Sequence, residues 1–232
     1  MLNLKDNSLS GYTKKYDNEG YGLQYPDGHV IRFYERILKY KLNKTSGNLL
    51  DFGCGNGVHS KYFQDVTGGG INVYGIDIVS SLKNTWKKDP RINENNFHVI
   101  IPNSSFKNLF DVKMDFIFAN QSLYYLPSKD FQKTIEEFYD LCNDGAIIFA
   151  TMISSKAYQE FVTGDVKENG LVEVKSSPRL NSESTYINFT NTIEELKEKF
   201  KPFKPLFWGD YELINLYNFE GSIQHFIYIG QK

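Results

Sequence analysis

The stretch LLDFGCGNGVHS, residues 49–60, decides how this chain is read. An apolar run carries Asp51 near its end, and glycines follow at 53, 55 and 57 before a helical pattern begins. Glycine is costly to order, so three within five residues mark tight turning or a close approach of bare backbone to a ligand.

Strand-length apolar runs recur on either side. NLLDFG (48–53), INVYGID (71–77), NFHVII (96–101), MDFIFAN (114–120) and GAIIFAT (145–151) read as buried strands. Between them, 56–66, 79–89 and 129–142 read as helices, with Phe131, Ile135, Phe138 and Cys142 on one face of the last. The alternation predicts a mostly parallel sheet covered on both faces. It breaks at 154–190, which reads as an insertion holding two short strands, LVEVKSS and STYINFT. Thr192 and Glu195 then stand at capping-box spacing, predicting a helix over 191–200. Runs at 205–214 and 222–230 close the chain as an antiparallel pair. The expected fold is α/β: a seven-stranded, mostly parallel, doubly wound sheet with helices on both faces and an antiparallel terminal strand pair. Residues 1–45 form an N-terminal segment before a core spanning 46–232.

Composition narrows the function. With 41 % hydrophobic and 16 % aromatic residues over 232 positions, the chain can bury a core. The net charge is −2, and 22 lysines and four arginines are scattered along the chain, so no electrostatic footprint for nucleic acid is present. Only two cysteines occur, Cys54 and Cys142, their spacing suggests neither zinc nor a disulfide framework, and a reduced, cytoplasmic setting is the default. The polar N-terminus lacks a signal-peptide core, and no apolar run approaches membrane-spanning length.

A strand, a glycine turn and a helix, followed by an acid ending the next strand, suit a nucleoside. Asp77 lies 22 residues beyond Gly55, where a carboxylate can accept from two ribose hydroxyls. A dinucleotide fingerprint would place a glycine where Val58 stands, and no lysine followed by Ser/Thr marks a phosphate loop. LLDFGCGNG with VYGID resembles motif I and its acidic partner in class I S-adenosylmethionine-dependent methyltransferases, of the small-molecule-modifying bacterial type. KMDFIFANQSLYYLP is similar to that family's fourth strand and following loop, and the terminal pair is similar to its sixth and seventh strands. The likeness covers about residues 45–152 closely and 191–232 by layout. It implies S-adenosylmethionine as cofactor and S-adenosylhomocysteine as product. Asp51, Gly53, Cys54, Gly55, Asp77 and Ile78 would then meet the cofactor, with Asn103 and Ser104 near adenine and Asn120 and Gln121 at the methionine end. The plain alternatives are a structural turn at 53–57, a helix cap at Asp77, and ordinary loop residues at 103–104.

In YGLQYPDGHVIRFYERILKY (21–40), Val30, Phe33, Ile37 and Tyr40 repeat at helical spacing. Similar methyltransferases fold an N-terminal helix over the cofactor and acceptor. Tyr16, Tyr21 and Tyr25 would wall such a pocket. Arg32 would reach a carboxylate or phosphate, or else sit in a surface salt bridge.

Methyl transfer is an in-line displacement, so positioning supplies much of the catalysis. An alcohol acceptor must also lose a proton. Of four histidines, His29 is the first candidate for that role, while His59, His98 and His225 read as structural. Tyr124 and Tyr125 follow the fourth strand; one is expected to line the pocket and the other to pack. No base declares itself, which favours proximity catalysis.

The Asn/Asp-Pro-Pro-aromatic signature of DNA amino-methyltransferases is missing from ANQSLYYLP, and a Pro-Cys nucleophile is absent. A small polar acceptor remains, best taken as an oxygen of a sugar, nucleotide-linked or phosphorylated precursor of a surface glycan. Alternatives are N-methylation of a small metabolite, a non-catalytic nucleoside-binding scaffold, and an NAD-dependent oxidoreductase. The insertion, with Arg179, would cover the acceptor or form a surface loop. Monomer and homodimer are both open.

Overall fold

The computed structural model describes residues 9–18, 24–102, 104–155, 162–175, 184–214 and 222–232. Helix α1 spans Leu9–Asn18. Helix α2 (Gly28–Arg32) runs on into a π-helical stretch, Phe33–Lys41. The core follows as β1 (Gly47–Phe52), α3 (Val58–Thr67), β2 (Ile71–Asp77), α4 (Leu82–Lys87), β3 (Phe97–Val99), β4 (Met114–Ala119), α5 (Ser128–Leu141) and β5 (Cys142–Ile153). Strands β6 (Val162–Val166), β7 (Val172–Lys175) and β8 (Ser184–Ile187) precede α6 (Ile193–Lys199), β9 (Lys204–Ile214) and β10 (Ser222–Gln231).

Seven strands form one sheet in the order β3-β2-β1-β4-β5-β10-β9. The first five are parallel, and β10 runs antiparallel to both β5 and β9. The expected doubly wound sheet with its terminal antiparallel pair is therefore present. Its apolar runs follow from burial on both faces. Side chains alternate, so Leu49, Phe116, Phe118 and Phe149 enter one layer while Leu50, Ile117, Ala119 and Ile148 enter the other. Fully burying each Leu, Ile or Phe among them contributes roughly 1.5–3 kcal/mol. Helix α5 fills the second layer with Phe131, Ile135, Phe138 and Leu141.

Three local readings need correction. Cys142 leaves the helix and opens β5 opposite Met114, although its side chain enters the same apolar layer. The N-terminal helical face is Val30, Phe33, Tyr34 and Leu38; Ile37 is half-buried and Tyr40 is 86 % exposed. Val30, Phe33, Tyr34 and Leu38 stand at i, i+3, i+4 and i+8 and so share one helical face, in a segment whose bonding is π-helical from Phe33. The insertion holds three described strands rather than two, in an antiparallel sheet ordered β6-β7-β8. That sheet is tied to the loop after β4, where the Asn188 N–H donates to the Tyr124 carbonyl at 2.7 Å. Thr192 accepts from the Glu195 N–H at 3.0 Å, while the Glu195 carboxylate reaches back to the N–H of Asn191. No helix among the described residues is long and apolar enough to cross a membrane.

From β1 the chain turns to β2 on one side, while β4 lies on the other. This is a topological switch point, and open α/β sheets hold ligands in the crevice at such a point, outside the carboxyl ends of the strands.

Candidate active site

The loop leaving β1 is built for bare backbone. Gly53 and Gly55 have φ of +71° and +51°, a region that L side chains rarely adopt. Space forbids a side chain as well. A Cβ at Gly53 would lie 2.5 Å from Ser122 Cβ, and one at Gly55 would lie 2.5 Å from the Tyr16 hydroxyl. The loop faces the residues after β4 on one side and helix α1 on the other. Ser122 Oγ is buried there with no hydrogen-bond partner among the described residues. A buried hydroxyl in that state is costly and calls for an explanation.

Asp77, at the end of β2, accepts from the Gly55 N–H through Oδ2 at 2.9 Å and from the Val79 N–H through Oδ1 at 3.0 Å. Burial raises its pKa, against the pull of the Val79, Gly55 and Ile78 N–H groups. Ile78 is half-buried directly beside it. Asp51 lies deeper and accepts from Ser60 Oγ in α3 at 2.5 Å. Burial pushes its carboxyl up to about 6, with His59 and Ser60 opposing and Asp77 adding. The Cys54 thiol faces Gly75, 2.9 Å from where a Cβ would sit, and burial holds it well above the ordinary thiol range. Ser104 is exposed and donates to the Ile101 carbonyl at 2.6 Å. Asn103, Tyr21 and Arg179 lie outside the described residues.

Across the switch point, the chain leaves β4 through Asn120 and through Gln121, whose φ of +53° is uncommon for a non-glycine residue. The Gln121 N–H donates to Thr151 Oγ1 at 2.7 Å, and Thr151 donates to Asn120 Oδ1 at 3.3 Å. His29 Nε2 lies 2.9 Å from the same Oδ1, and Asn120 Nδ2 donates to Asp27 Oδ2 at 3.0 Å. Asp27 is the N-cap residue of α2, yet its side chain makes no capping bond and turns to Asn120 instead. His59 Nε2 lies 3.4 Å from Asp27 Oδ2. Burial raises the Asp27 pKa, but the His59 hydrogen bond, the charges of His29 and His59, and the Asn120 bond outweigh it and leave it lowered. Burial lowers the His29 pKa against the opposing pull of Asn120 and Asp27, which keeps the ring neutral near pH 7.

Aromatic rings hold this cluster in place. His29 stacks on Tyr211 at 4.1 Å between centroids, and Tyr211 stacks on His225 at 5.0 Å. Gln121 Nε2 donates to the Tyr211 hydroxyl at 3.3 Å. Tyr124 is buried beside His225. Tyr125 is half-buried and its hydroxyl meets that of Tyr12 in α1, so α1 spans from Tyr125 to Gly55. Tyr25 is 79 % exposed, and Arg32 is exposed on the side of α2 away from the core.

The structure thus gathers Gly53, Gly55, Asp77, Asn120, Gln121, Tyr125 and His29 around the carboxyl ends of β1, β2 and β4. Sequence reasoning overlooked Asp27, Ser122, Thr151 and Tyr211. Asp27 stands just ahead of the N-terminal helical pattern, and the others sat inside strand or loop runs with no distinguishing pattern. Among the described residues no group of His, Cys, Asp and Glu could hold a metal ion.

A family model described as a methyltransferase domain matches residues 24–195. An uncharacterized methyltransferase of Anoxybacillus flavithermus is 25 % identical over 171 residues, spanning 72 % of this chain and 76 % of that protein. The solved S-adenosylmethionine-dependent methyltransferase of Methanosarcina mazei superposes with a TM-score of 0.61 at 22 % identity, covering 83 % of this chain and 97 % of its own. The 1,6-didemethyltoxoflavin-N1-methyltransferase of Burkholderia thailandensis, solved with 1,6-didemethyltoxoflavin and S-adenosylhomocysteine, gives a TM-score of 0.60 at 14 % identity, covering 99 % and 87 %.

Proposed function

The chain belongs to the methyltransferase domain family, and on that premise we propose that it transfers the methyl group of S-adenosylmethionine to a small polar acceptor. The observation that carries the reading is the pairing of the Asp77 carboxylate with the Gly55 N–H, which locks an acid against a side-chain-free loop. The residues fit the cofactor. Gly53 and Gly55 offer a cradle that any Cβ would fill, Asp77 keeps lone pairs for ribose hydroxyls, and the orphaned Ser122 hydroxyl stands ready for the methionine carboxylate. When bound, the cofactor supplies an activated methyl group.

This chain's own residues orient the acceptor and take its proton. His29 is the proton acceptor we assign, because it stands beside Asn120 at the mouth of β4 and is neutral near pH 7. That assignment fits a hydroxyl oxygen, as in a sugar or glycan precursor. A second reading, N-methylation of a small heterocycle, draws support from the rings of Tyr125, Tyr124 and Tyr211 around the cluster and from the N1-methylating Burkholderia enzyme of like fold. Calorimetric titration with S-adenosylhomocysteine tests the cofactor reading: saturable binding is expected, and its absence would refute it.

A further inference from the structure

The hydrogen-bond directions around Asn120 leave one consistent assignment. Its amide nitrogen faces the Asp27 carboxylate, which only accepts, so Nδ2 must be the atom at that contact. Oδ1 therefore faces His29 Nε2 and the Thr151 hydroxyl. Thr151 Oγ1 already accepts from the Gln121 N–H, which leaves its proton for Asn120. An amide oxygen only accepts, so Nε2 of His29 must carry the hydrogen. The second ring nitrogen, Nδ1, then bears the lone pair, and it makes no hydrogen bond among the described residues.

We propose that Asp27 and Asn120 are positioning residues that fix His29 as its Nε2–H tautomer and so present Nδ1 as the base toward a neutral O–H or N–H acceptor. The inference rests on the methyltransferase reading above. Asp27 orients the Asn120 amide, Asn120 fixes the proton on His29, and the stacked Tyr211 ring sets the plane of the imidazole. In the step this serves, the acceptor's proton passes to Nδ1 and the electron pair left on the acceptor heteroatom forms the bond to the methyl carbon, while the methyl–sulfur bond breaks and its pair stays on the sulfur, which leaves as a neutral thioether. The imidazolium so produced lies near the Asp27 carboxylate, an acid acting through an oriented partner as in other base-activating triads. The charged and titratable groups facing His29 are Asp27 ahead of α2, His59 from α3 and Tyr211 from β9.

The test is nitrogen NMR on the full chain labelled at histidine, with His29 assigned by its loss in His29→Gln. Above the titration midpoint, wild type should show a protonated Nε2, slow to exchange, and an unprotonated Nδ1. A protonated Nδ1 would overturn the proposal. Asn120→Ala should abolish the slow-exchanging Nε2–H signal, and its persistence would count against the lock. Asp27→Asn should move the His29 midpoint to lower pH by roughly one unit, the usual size for losing a nearby opposite charge; no movement or a rise would contradict the role given to Asp27. The wild-type measurement stands whether or not a variant folds. Wild type that binds S-adenosylhomocysteine but shows the wrong tautomer would sink this inference alone, whereas failure to bind it would sink the functional reading beneath.

Discussion

Asp77 and Gly55, 22 residues apart, are joined by a 2.9 Å hydrogen bond from the glycine N–H to the carboxylate. The contact fastens the loop after β1 to the end of β2, so the acid serves the shape of the loop before any ligand arrives. Trp86 adds a second fastening by donating from Nε1 to the Gly55 carbonyl at 3.3 Å. Asp77→Ala removes both the loop clamp and the acceptor proposed for the ribose hydroxyls. We expect it to weaken S-adenosylhomocysteine binding by about 1.5–3 kcal/mol, the worth of hydrogen bonds to a charged group. Calorimetry that returned wild-type affinity would remove Asp77 from the site.

Ser122 should behave in the opposite sense for stability. Its hydroxyl is buried without a partner among the described residues, and such a group costs about 1–3 kcal/mol. Ser122→Ala is therefore expected to raise the denaturation midpoint of the free protein while weakening cofactor binding by about 1 kcal/mol. A loss of stability would mean that the hydroxyl is satisfied within the protein.

Asp51 ties stability to pH. Its carboxyl is raised from 3.8 to about 6, chiefly by burial. The folded state therefore holds its proton more tightly than the unfolded state, and stability falls as pH rises between those two values. A gap of that size corresponds to roughly 3 kcal/mol. Asp51→Asn keeps an acceptor for Ser60 and removes the titration. Its stability relative to wild type should climb from pH 4 to pH 6 and level off above, as read by denaturant unfolding at a series of pH values. A flat difference would show that Asp51 ionises normally.

Helix α1 closes over the loop through Tyr16 at Gly55 and Tyr12 at Tyr125. Tyr16→Ala should speed dissociation of S-adenosylhomocysteine by about tenfold, corresponding to ~1.4 kcal/mol of lost closure. Stopped-flow fluorescence of Trp86, which contacts Gly55, can follow the change. An unchanged rate would show that α1 does not cover the bound cofactor.

The sheet was legible because strands buried on both faces announce themselves as unbroken apolar runs, and the glycine spacing then located the loop. The N-terminal segment was harder. Tyr34 and Leu38 replace Ile37 and Tyr40 in the core, because the apolar pattern fits two neighbouring faces of the same helical repeat and only packing against the sheet selects one. Strand β6, VTGDV, lacks alternation and carries glycine and aspartate, so its pairing with β7 comes from tertiary context. The Asp27–Asn120–His29 cluster was half visible. His29 and Asn120 stood out in the sequence and Asp27 did not, because the start of α2 and the end of β4 meet only in the fold, where Asp27 leaves its own helix uncapped and turns to Asn120.

Methyl transfer to a small molecule can be followed with methyl-labelled S-adenosylmethionine. The protein is incubated with it and a fractionated bacterial extract, and label is counted in the small-molecule, protein and nucleic-acid fractions. Label is expected in the small-molecule fraction and should be lost with Asp77→Ala. Label confined to protein or nucleic acid would contradict the acceptor class. No transfer in any fraction, together with no binding of S-adenosylhomocysteine, would contradict the activity itself.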